Sequence, residues 1–225
     1  MIVVFDVDGT LVDSGGVDNR CFDEAFLEAT GTPLLTEQWM AMQEVTAKAI
    51  VHQVFPDDDA EALARKEQAV QAGYLARLHA AGRREPTAFR PVPGALAQLA
   101  LLREMPGLDL AIATGDWHDT IAYKLKLAGF NLSGIPIATA SERYRRSEII
   151  RLAVERTGRD LRDAVYVGDG LWDLRATRQL GIPFIGIGPR IVQLRAAGAE
   201  HALPHYDDGE LLGLLQQIAN RRTGA

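Results

Sequence analysis

Two carboxylates and a glycine follow directly on a short apolar run at the amino terminus, Met1-Ile-Val-Val-Phe-Asp-Val-Asp-Gly-Thr-Leu-Val-Asp-Ser14. Ile2, Val3, Val4 and Phe5 are β-branched or aromatic and read as a buried strand. Side chains of an extended chain alternate between faces, so Asp6 and Asp8 are expected to point the same way at the strand's carboxyl end. Gly9 then lets the chain turn sharply. Two acids in such a place are costly unless a cation or another partner compensates them. An Asp-Gly turn closing an ordinary strand is the plainer reading of so short a string. The choice depends on what the rest of the chain supplies.

Three further strings could supply partners. Leu108-Asp-Leu-Ala-Ile-Ala113 reads as a strand and ends in Thr114-Gly115. A hydroxyl and a free backbone N–H there can cradle an anionic oxygen, or can form a simple turn. Ala164-Val-Tyr-Val-Gly-Asp-Gly-Leu-Trp-Asp173 is a strand, a glycine turn and two acids four residues apart. A helix starting near Gly170 puts Asp169 at its mouth and Asp173 one turn in, facing the same spot. The same acids could merely complement the helix dipole. Ser141-Glu-Arg-Tyr-Arg-Arg-Ser-Glu-Ile-Ile-Arg151 offers Arg143, Arg145 and Arg146. A guanidinium stays charged and can grip a phosphate through two N–H groups. An exposed basic loop accounts for any two of the three.

These strings together resemble the signatures of the haloacid dehalogenase-like hydrolases, in the phosphatase form with a small α-helical cap, as in phosphoglycolate phosphatases. Asp6-Val-Asp-Gly-Thr-Leu-Val-Asp-Ser14 is similar to the first signature, Thr114-Gly115 to the second and Gly168-Asp-x-x-x-Asp173 to the fourth. The third is usually a lysine, and no lysine stands between the strand near Ile137 and the one around Tyr166. Arg146, three residues before Ile149 at the start of a helix, is the substitute, with Arg143 and Arg145 as rivals. The resemblance implies that Asp6 is the nucleophile that becomes an aspartyl-phosphate and that Asp8 is the general acid and base. It implies that Thr114, Gly115 and Arg146 hold the phosphoryl oxygens. Magnesium would be bound by Asp6, the backbone carbonyl of Asp8 and Asp169, with Asp173 orienting the metal shell or the cation. Such cations are needed, because unit charges about 3.5 Å apart repel by roughly 4–5 kcal/mol at an effective dielectric near 20. The activity implied is magnesium-dependent hydrolysis of a small phosphomonoester. The alternatives are a sugar-phosphate mutase or haloacid dehalogenase on the same fold, or a non-catalytic phospho-accepting module. Asp8 speaks against the dehalogenase, and the Gly-Asp-x-x-x-Asp string speaks against the module.

The elements that must position these residues follow from periodicity. From Gly94 onward helices and strands alternate, which predicts an α/β fold: a Rossmann-like parallel sheet with helices on both faces. Helices are expected over residues 95–103, 117–128, 147–156, 172–179 and 208–219, with the tail from Arg221 to Ala225 frayed. Between Val17 and His79 the pattern is helical throughout, and Pro-rich stretches close it. Residues 15–90 are therefore expected to form an inserted α-helical cap, and 1–14 with 91–225 the α/β core. Glu44-Val45-Thr46-Ala47-Lys48 is the candidate cap loop facing the substrate, with Thr46 and Lys48 as specificity residues. An ordinary helix start with a solvated lysine is the competing reading.

Of the 225 residues 47% are hydrophobic and 24% charged, as in an ordinary globular protein. A net charge of −6 argues against a nucleic-acid backbone as the main partner and leaves room for a small anionic substrate; the resemblance implies a small phosphorylated metabolite. No stretch reaches the length of a membrane span, and the run after Met1 is too short for a signal peptide. The one cysteine, Cys21, is read as core packing and can form no intramolecular disulfide, which fits a cytoplasmic protein. A monomer or homodimer is expected. Histidines 52, 79, 118, 201 and 205 show no metal-ligand spacing. Trp117 and Trp172 follow the site loops, in position to pack or to line an entrance.

Overall fold

The amino-terminal apolar run is the strand β1 (Ile2–Phe5), and all four of its side chains are buried. In the computed structural model, which describes residues 1–206 and 209–223, every other element is arranged around this strand. The chain continues through the short β2 (Val12–Asp13) into four helices: α1 (Val17–Thr30), α2 (Thr36–Met40), α3 (Ala47–Val54) and α4 (Ala60–Arg84). It returns through β3 (Arg90–Pro91). Then helices and strands alternate: α5 (Ala95–Arg103), β4 (Asp109–Ala113), α6 (His118–Leu127), β5 (Ile137–Ala138), α7 (Arg146–Glu155), β6 (Ala164–Gly168), α8 (Leu171–Leu180) and β7 (Phe184–Ile187). The last elements are α9 (Ile191–Ala196), β8 (His201–Leu203) and α10 (Glu210–Thr223).

Six strands form one sheet in the order β5-β4-β1-β6-β7-β8, each neighbouring pair parallel. The expected α/β sheet is therefore present. Because β1 lies between β4 and β6, the loops after all three strands open at the same sheet edge, where ligands bind in such folds. The alternation along β1 divides the core. Val3 and Phe5 join the cluster that includes Leu99 of α5, Ile121 of α6 and Leu215 of α10. Ile2 and Val4 face the opposite cluster, with Ile149 of α7 and Leu174 of α8. Burying each such side chain stabilises the fold by about 1.5–3 kcal/mol, so both sheet faces hold β1 in place.

The four helices of the insertion branch from the core at an antiparallel ribbon, where β2 pairs with β3 and Arg90 grips Asp13 at 2.8 Å. The sequence reading missed this ribbon, because two-residue strands carry no alternation to detect. Within the insertion α1 packs along α4, and Asp59 caps α4 by accepting the Ala62 N–H at 2.8 Å. The carboxyl half of α4 docks on α6, burying Leu78 and Ala81 and setting the His79 ring 4.3 Å from that of Tyr123.

Two other elements escaped the sequence reading. Helix α9 buries only Leu194, and β8 is three residues at the sheet edge. The last helix runs to Thr223, so Arg221 and Arg222 are helical rather than frayed. Its expected start at Asp208, and the end of the tail at Gly224 and Ala225, fall outside the described residues. No helix among the described residues is long and apolar enough to cross a membrane.

Candidate active site

Strand β1 ends at Phe5, and the loop beyond it separates the two acids. The Val7 carbonyl accepts the N–H groups of Leu11 and Val12 at 2.8 and 2.9 Å, folding residues 7–12 into a tight turn. Asp6 and Asp8 both line one cleft, each with its own partners.

Asp6 lies with Asp169 and Asp173, all buried, and each offers an oxygen within 4.8 Å of the other two. Asp169 follows β6 directly. Asp173 sits in the first turn of α8 and accepts the Gly170 N–H at 3.0 Å. Burial raises the Asp169 carboxyl to about 7, against the pull of the Arg190 guanidinium beside it. Burial, with Asp6 and Asp169 adding to it, raises Asp173 to about 8 despite Arg146. Three carboxylates this close need positive charge. The Oδ1 atom of Asp169 is buried without a hydrogen-bond partner. A hard divalent cation fits this donor set, since it takes carboxylate oxygens and would satisfy the orphaned one.

Of the three candidate arginines, Arg146 is the one at the site. It is the first residue of α7, and its Nη1 lies 2.9 Å from Asp173 and 3.4 Å from Asp6. Its Nη2 donates to the Val45 carbonyl at 2.9 Å, while its Nε is buried and unpartnered. Burial alone would pull its pKa down, but the Asp173 and Asp6 carboxylates hold it above the usual range. Arg143 and Arg145 are exposed. Gly115 allows this approach: a Cβ there would stand 2.3 Å from Arg146 Nη2. Thr114 is buried at the end of β4 and, with Gly115, lines the same cleft as Asp6, Arg146 and Asp169. Gly9 is equally constrained, with φ of 75° and a would-be Cβ 2.3 Å from the Asp169 carboxylate.

Asp8 belongs to a second cluster. The Lys124 ammonium, fully buried on α6, lies 2.7 and 2.8 Å from the two Asp8 oxygens. It also lies 2.9 Å from Asp18 and 2.8 Å from Asp116. Burial, with Asp18 and Asp116 adding negative charge, pushes the Asp8 carboxyl well above its ordinary range although Lys124 opposes the shift. Lys124 itself is held well above its usual value by Asp116, Asp18 and Asp8, which outweigh its burial. The sequence reading missed Lys124, yet a signal existed. Ile121, Lys124, Leu125 and Ala128 are spaced as one apolar stripe, so a lysine stands where α6 should present a hydrocarbon.

The cleft has a volume of about 450 Å³ and runs between the sheet edge and the helical insertion. Thr46 lines it, but its hydroxyl is spent structurally, donating to the Tyr144 carbonyl at 2.8 Å and accepting the Ala49 N–H at 3.1 Å. Ala47 N–H donates to the Gly115 carbonyl at 2.7 Å, so this loop does face the site. Lys48 does not line the cleft, and it pairs with Glu67 at 3.7 Å. The helix phase turns it away from the position expected for a specificity residue. Trp172 lines the cleft opposite Trp39, ring centroids 6.3 Å apart, whereas Trp117 is fully buried against Phe22 and Tyr74. Arg190, which the sequence reading did not single out, bonds Asp169 and covers the Trp172 ring. His118 is exposed beside Asp119.

Cys21 is buried on α1, and burial pushes its thiol up to about 11. It is expected to stay unmodified by a thiol-specific disulfide reagent at pH 8 until the protein is unfolded. Prompt labelling of the native protein would contradict this placement.

Comparison with known proteins finds relatives in sequence and in fold. Residues 1–181 match the family model described as haloacid dehalogenase-like hydrolase. The chain is 30% identical over 185 residues to a phosphoglycolate phosphatase of Xylella fastidiosa, covering 80% of this chain and 77% of that one. It is 23% identical over 189 residues to a phosphoglycolate phosphatase of Agrobacterium fabrum, covering 83% and 79% respectively. The crystal structure of a hydrolase from Pseudomonas syringae matches the fold with a TM-score of 0.74 at 23% identity, over 96% of this chain and 98% of that one.

Proposed function

The chain belongs to the haloacid dehalogenase-like hydrolase family, and from that premise we propose that it is a magnesium-dependent phosphatase of small phosphomonoesters, phosphoglycolate among the candidates, working through an aspartyl-phosphate on Asp6. The observation that carries this reading is the place of Arg146, whose guanidinium lies against Asp6 and Asp173 while Asp169 Oδ1 beside them has no partner. A nucleophilic carboxylate, a phosphate-gripping cation and an acidic cation site therefore share one cleft.

Asp6, Asp169 and the Asp8 backbone carbonyl would hold the ion, with Asp173 fixing Arg146. When bound, Mg2+ supplies positive charge between carboxylate and phosphoryl oxygens and reduces their repulsion. Arg146 and the Thr114-Gly115 loop hold the phosphoryl oxygens in line with Asp6, the positioning that phosphoryl transfer chiefly requires. A carboxylate oxygen of Asp6 forms the new bond to phosphorus as the bond to the ester oxygen breaks. Asp8 gives its proton to that leaving oxygen, which departs as the alcohol. Asp8 then takes a proton from water, whose oxygen attacks phosphorus and releases inorganic phosphate from Asp6. The helical insertion acts as a cap that excludes water and meets the organic part of the substrate. Thr46 orders the cap loop. The names of the two relatives support phosphoglycolate as a substrate to test first.

Hydrolysis of p-nitrophenyl phosphate by metal-stripped protein, with Mg2+ restored in steps, tests the reading. Turnover is expected only with the ion. Equal turnover in excess chelator would sink it.

The raised carboxyls give a pH dependence. Asp169 at about 7 and Asp173 at about 8 bind protons in the folded protein that an unfolded aspartate, near 3.9, has already lost. Their contribution to stability is complete below about pH 4 and is lost as pH rises through 7 to 8. The metal-free protein should therefore unfold at lower urea at pH 8.5 than at pH 5.5. Added Mg2+ should stabilise more at pH 8.5, because it binds the deprotonated acids. A Mg2+ effect larger at pH 5.5 would show that these acids do not form its site.

A further inference from the structure

The cluster around Lys124 joins two parts of the molecule that the proposed chemistry must coordinate. Asp8 and Asp116 come from loops at the sheet edge, whereas Asp18 opens α1 and Tyr74 lies midway along α4, both in the helical insertion. All four meet one ammonium on a core helix: five acceptor atoms, two of them on Asp8, stand 2.7 to 3.3 Å from Lys124 Nζ. An ammonium has three N–H donors, so the acceptors compete for them. Tyr74 adds to the tie, since its hydroxyl donates to Asp18 and lies 3.1 Å from Asp116. With the insertion docked, Lys124 has no solvent exposure, so its donors are shared among these protein groups alone.

We propose that Lys124 is a positioning residue that couples the docking of the helical insertion to the placing of the Asp8 carboxylate, by dividing its three donors between the two parts. With the insertion docked, Asp18 and Tyr74 complete the set of acceptors that fixes the ammonium, which in turn holds both Asp8 oxygens, at 2.7 and 2.8 Å, in place at the cleft. With the insertion withdrawn, two of the four partners leave and the Asp8 carboxylate loses its fixed setting. The acid is thus set for work only over a covered site. This rests on the reading of Asp8 as the acid and base given above.

The test compares two substrates that differ in their need for an acid. p-Nitrophenolate leaves without a proton, whereas an alkoxide from an alkyl phosphomonoester does not. The parameter kcat/KM reports only the steps through phosphorylation of Asp6, so it isolates the acid role. Lys124→Met is expected to lower kcat/KM for an alkyl phosphomonoester by about a hundredfold or more, within the usual range of acid–base contributions, and that for p-nitrophenyl phosphate by less than about tenfold. Tyr74→Phe, which removes only a hydroxyl of the insertion and leaves Lys124 and Asp8 themselves in place, should shift the ratio of the two substrates in the same direction by about threefold or more. In the double variant the Tyr74→Phe shift should vanish, because its path to Asp8 is gone. A merely structural role for Lys124 would lower both substrates alike, and that result overturns the proposal. If Lys124→Met does not fold, Tyr74→Phe decides: an unchanged ratio overturns the coupling. Asp8→Asn serves as the reference. Should it lower both substrates equally, the acid role of Asp8 fails and the proposal fails with it, whereas a substrate-selective Asp8→Asn beside an unselective Lys124→Met defeats the coupling alone.

Discussion

Replacing Asp6 with asparagine is expected to abolish turnover, by at least about ten-thousandfold in kcat, while the protein folds. The amide is nearly isosteric with the carboxylate, so the packing at the end of β1 survives. Its oxygen cannot form a stable bond to phosphorus, and no other carboxylate stands where Asp6 does. Asp169 and Asp173 share its cluster but are held by Arg190 and Arg146 respectively. The change also removes one negative charge from three crowded acids, so the metal-free variant should be no less stable than the parent protein. Steady-state hydrolysis with and without Mg2+, beside a urea unfolding curve, checks both halves. Substantial activity in Asp6→Asn would move the nucleophile elsewhere.

Removing the charge of Arg146 should be costly in two ways. Arg146→Met leaves Asp173 and Asp6 buried without their guanidinium, and breaking a buried pair by deleting one partner typically costs about 3–5 kcal/mol. The same change removes the grip on the phosphoryl oxygens, for which a loss of about a hundred- to a thousandfold in kcat/KM is expected. Arg146→Lys separates the two effects. A lysine keeps the charge toward Asp173 but has no second nitrogen for the Val45 carbonyl, now 2.9 Å from Nη2. It should recover most of the stability and part of the activity. Arg146→Met at wild-type stability and activity would show that the acids near β1 are balanced by another group.

The residues that could be read in advance are those on strings of local structure. Asp6, Thr114 and Asp169 each stand at the end of an apolar strand, and Asp173 follows Asp169 at helical spacing. Their convergence then needed only a parallel sheet with β1 at its centre. What could not be read was the phase of side chains set by packing between distant elements. Whether Arg143, Arg145 or Arg146 turns inward depends on where α7 begins against β4, and Lys48 turns out toward Glu67 because α3 packs its apolar side inward. Asp6 and Asp8 line one cleft, but that Asp8 would meet a lysine on α6 could not be read from the strand to which it is adjacent. Lys124 was legible in principle as a cation in an apolar stripe, but its four partners come from sequence positions between 8 and 116, and only the docking of α4 on α6 collects them. The ribbon of β2 and β3, with the short α9 and β8, bury too few residues to leave a pattern.

The central claim is that Asp6 carries the phosphoryl group between the departure of the alcohol and the attack of water. Asp8→Asn should slow the second step and let the intermediate accumulate. Rapid acid quenching of that variant with p-nitrophenyl phosphate, whose leaving group needs no acid, and Mg2+, followed by peptide mapping, reads the claim directly. A phosphoryl group on the peptide that contains Asp6, absent when chelator replaces Mg2+, is the expected result. Continued hydrolysis with no phosphorylated peptide, or with the group on another residue, would contradict it.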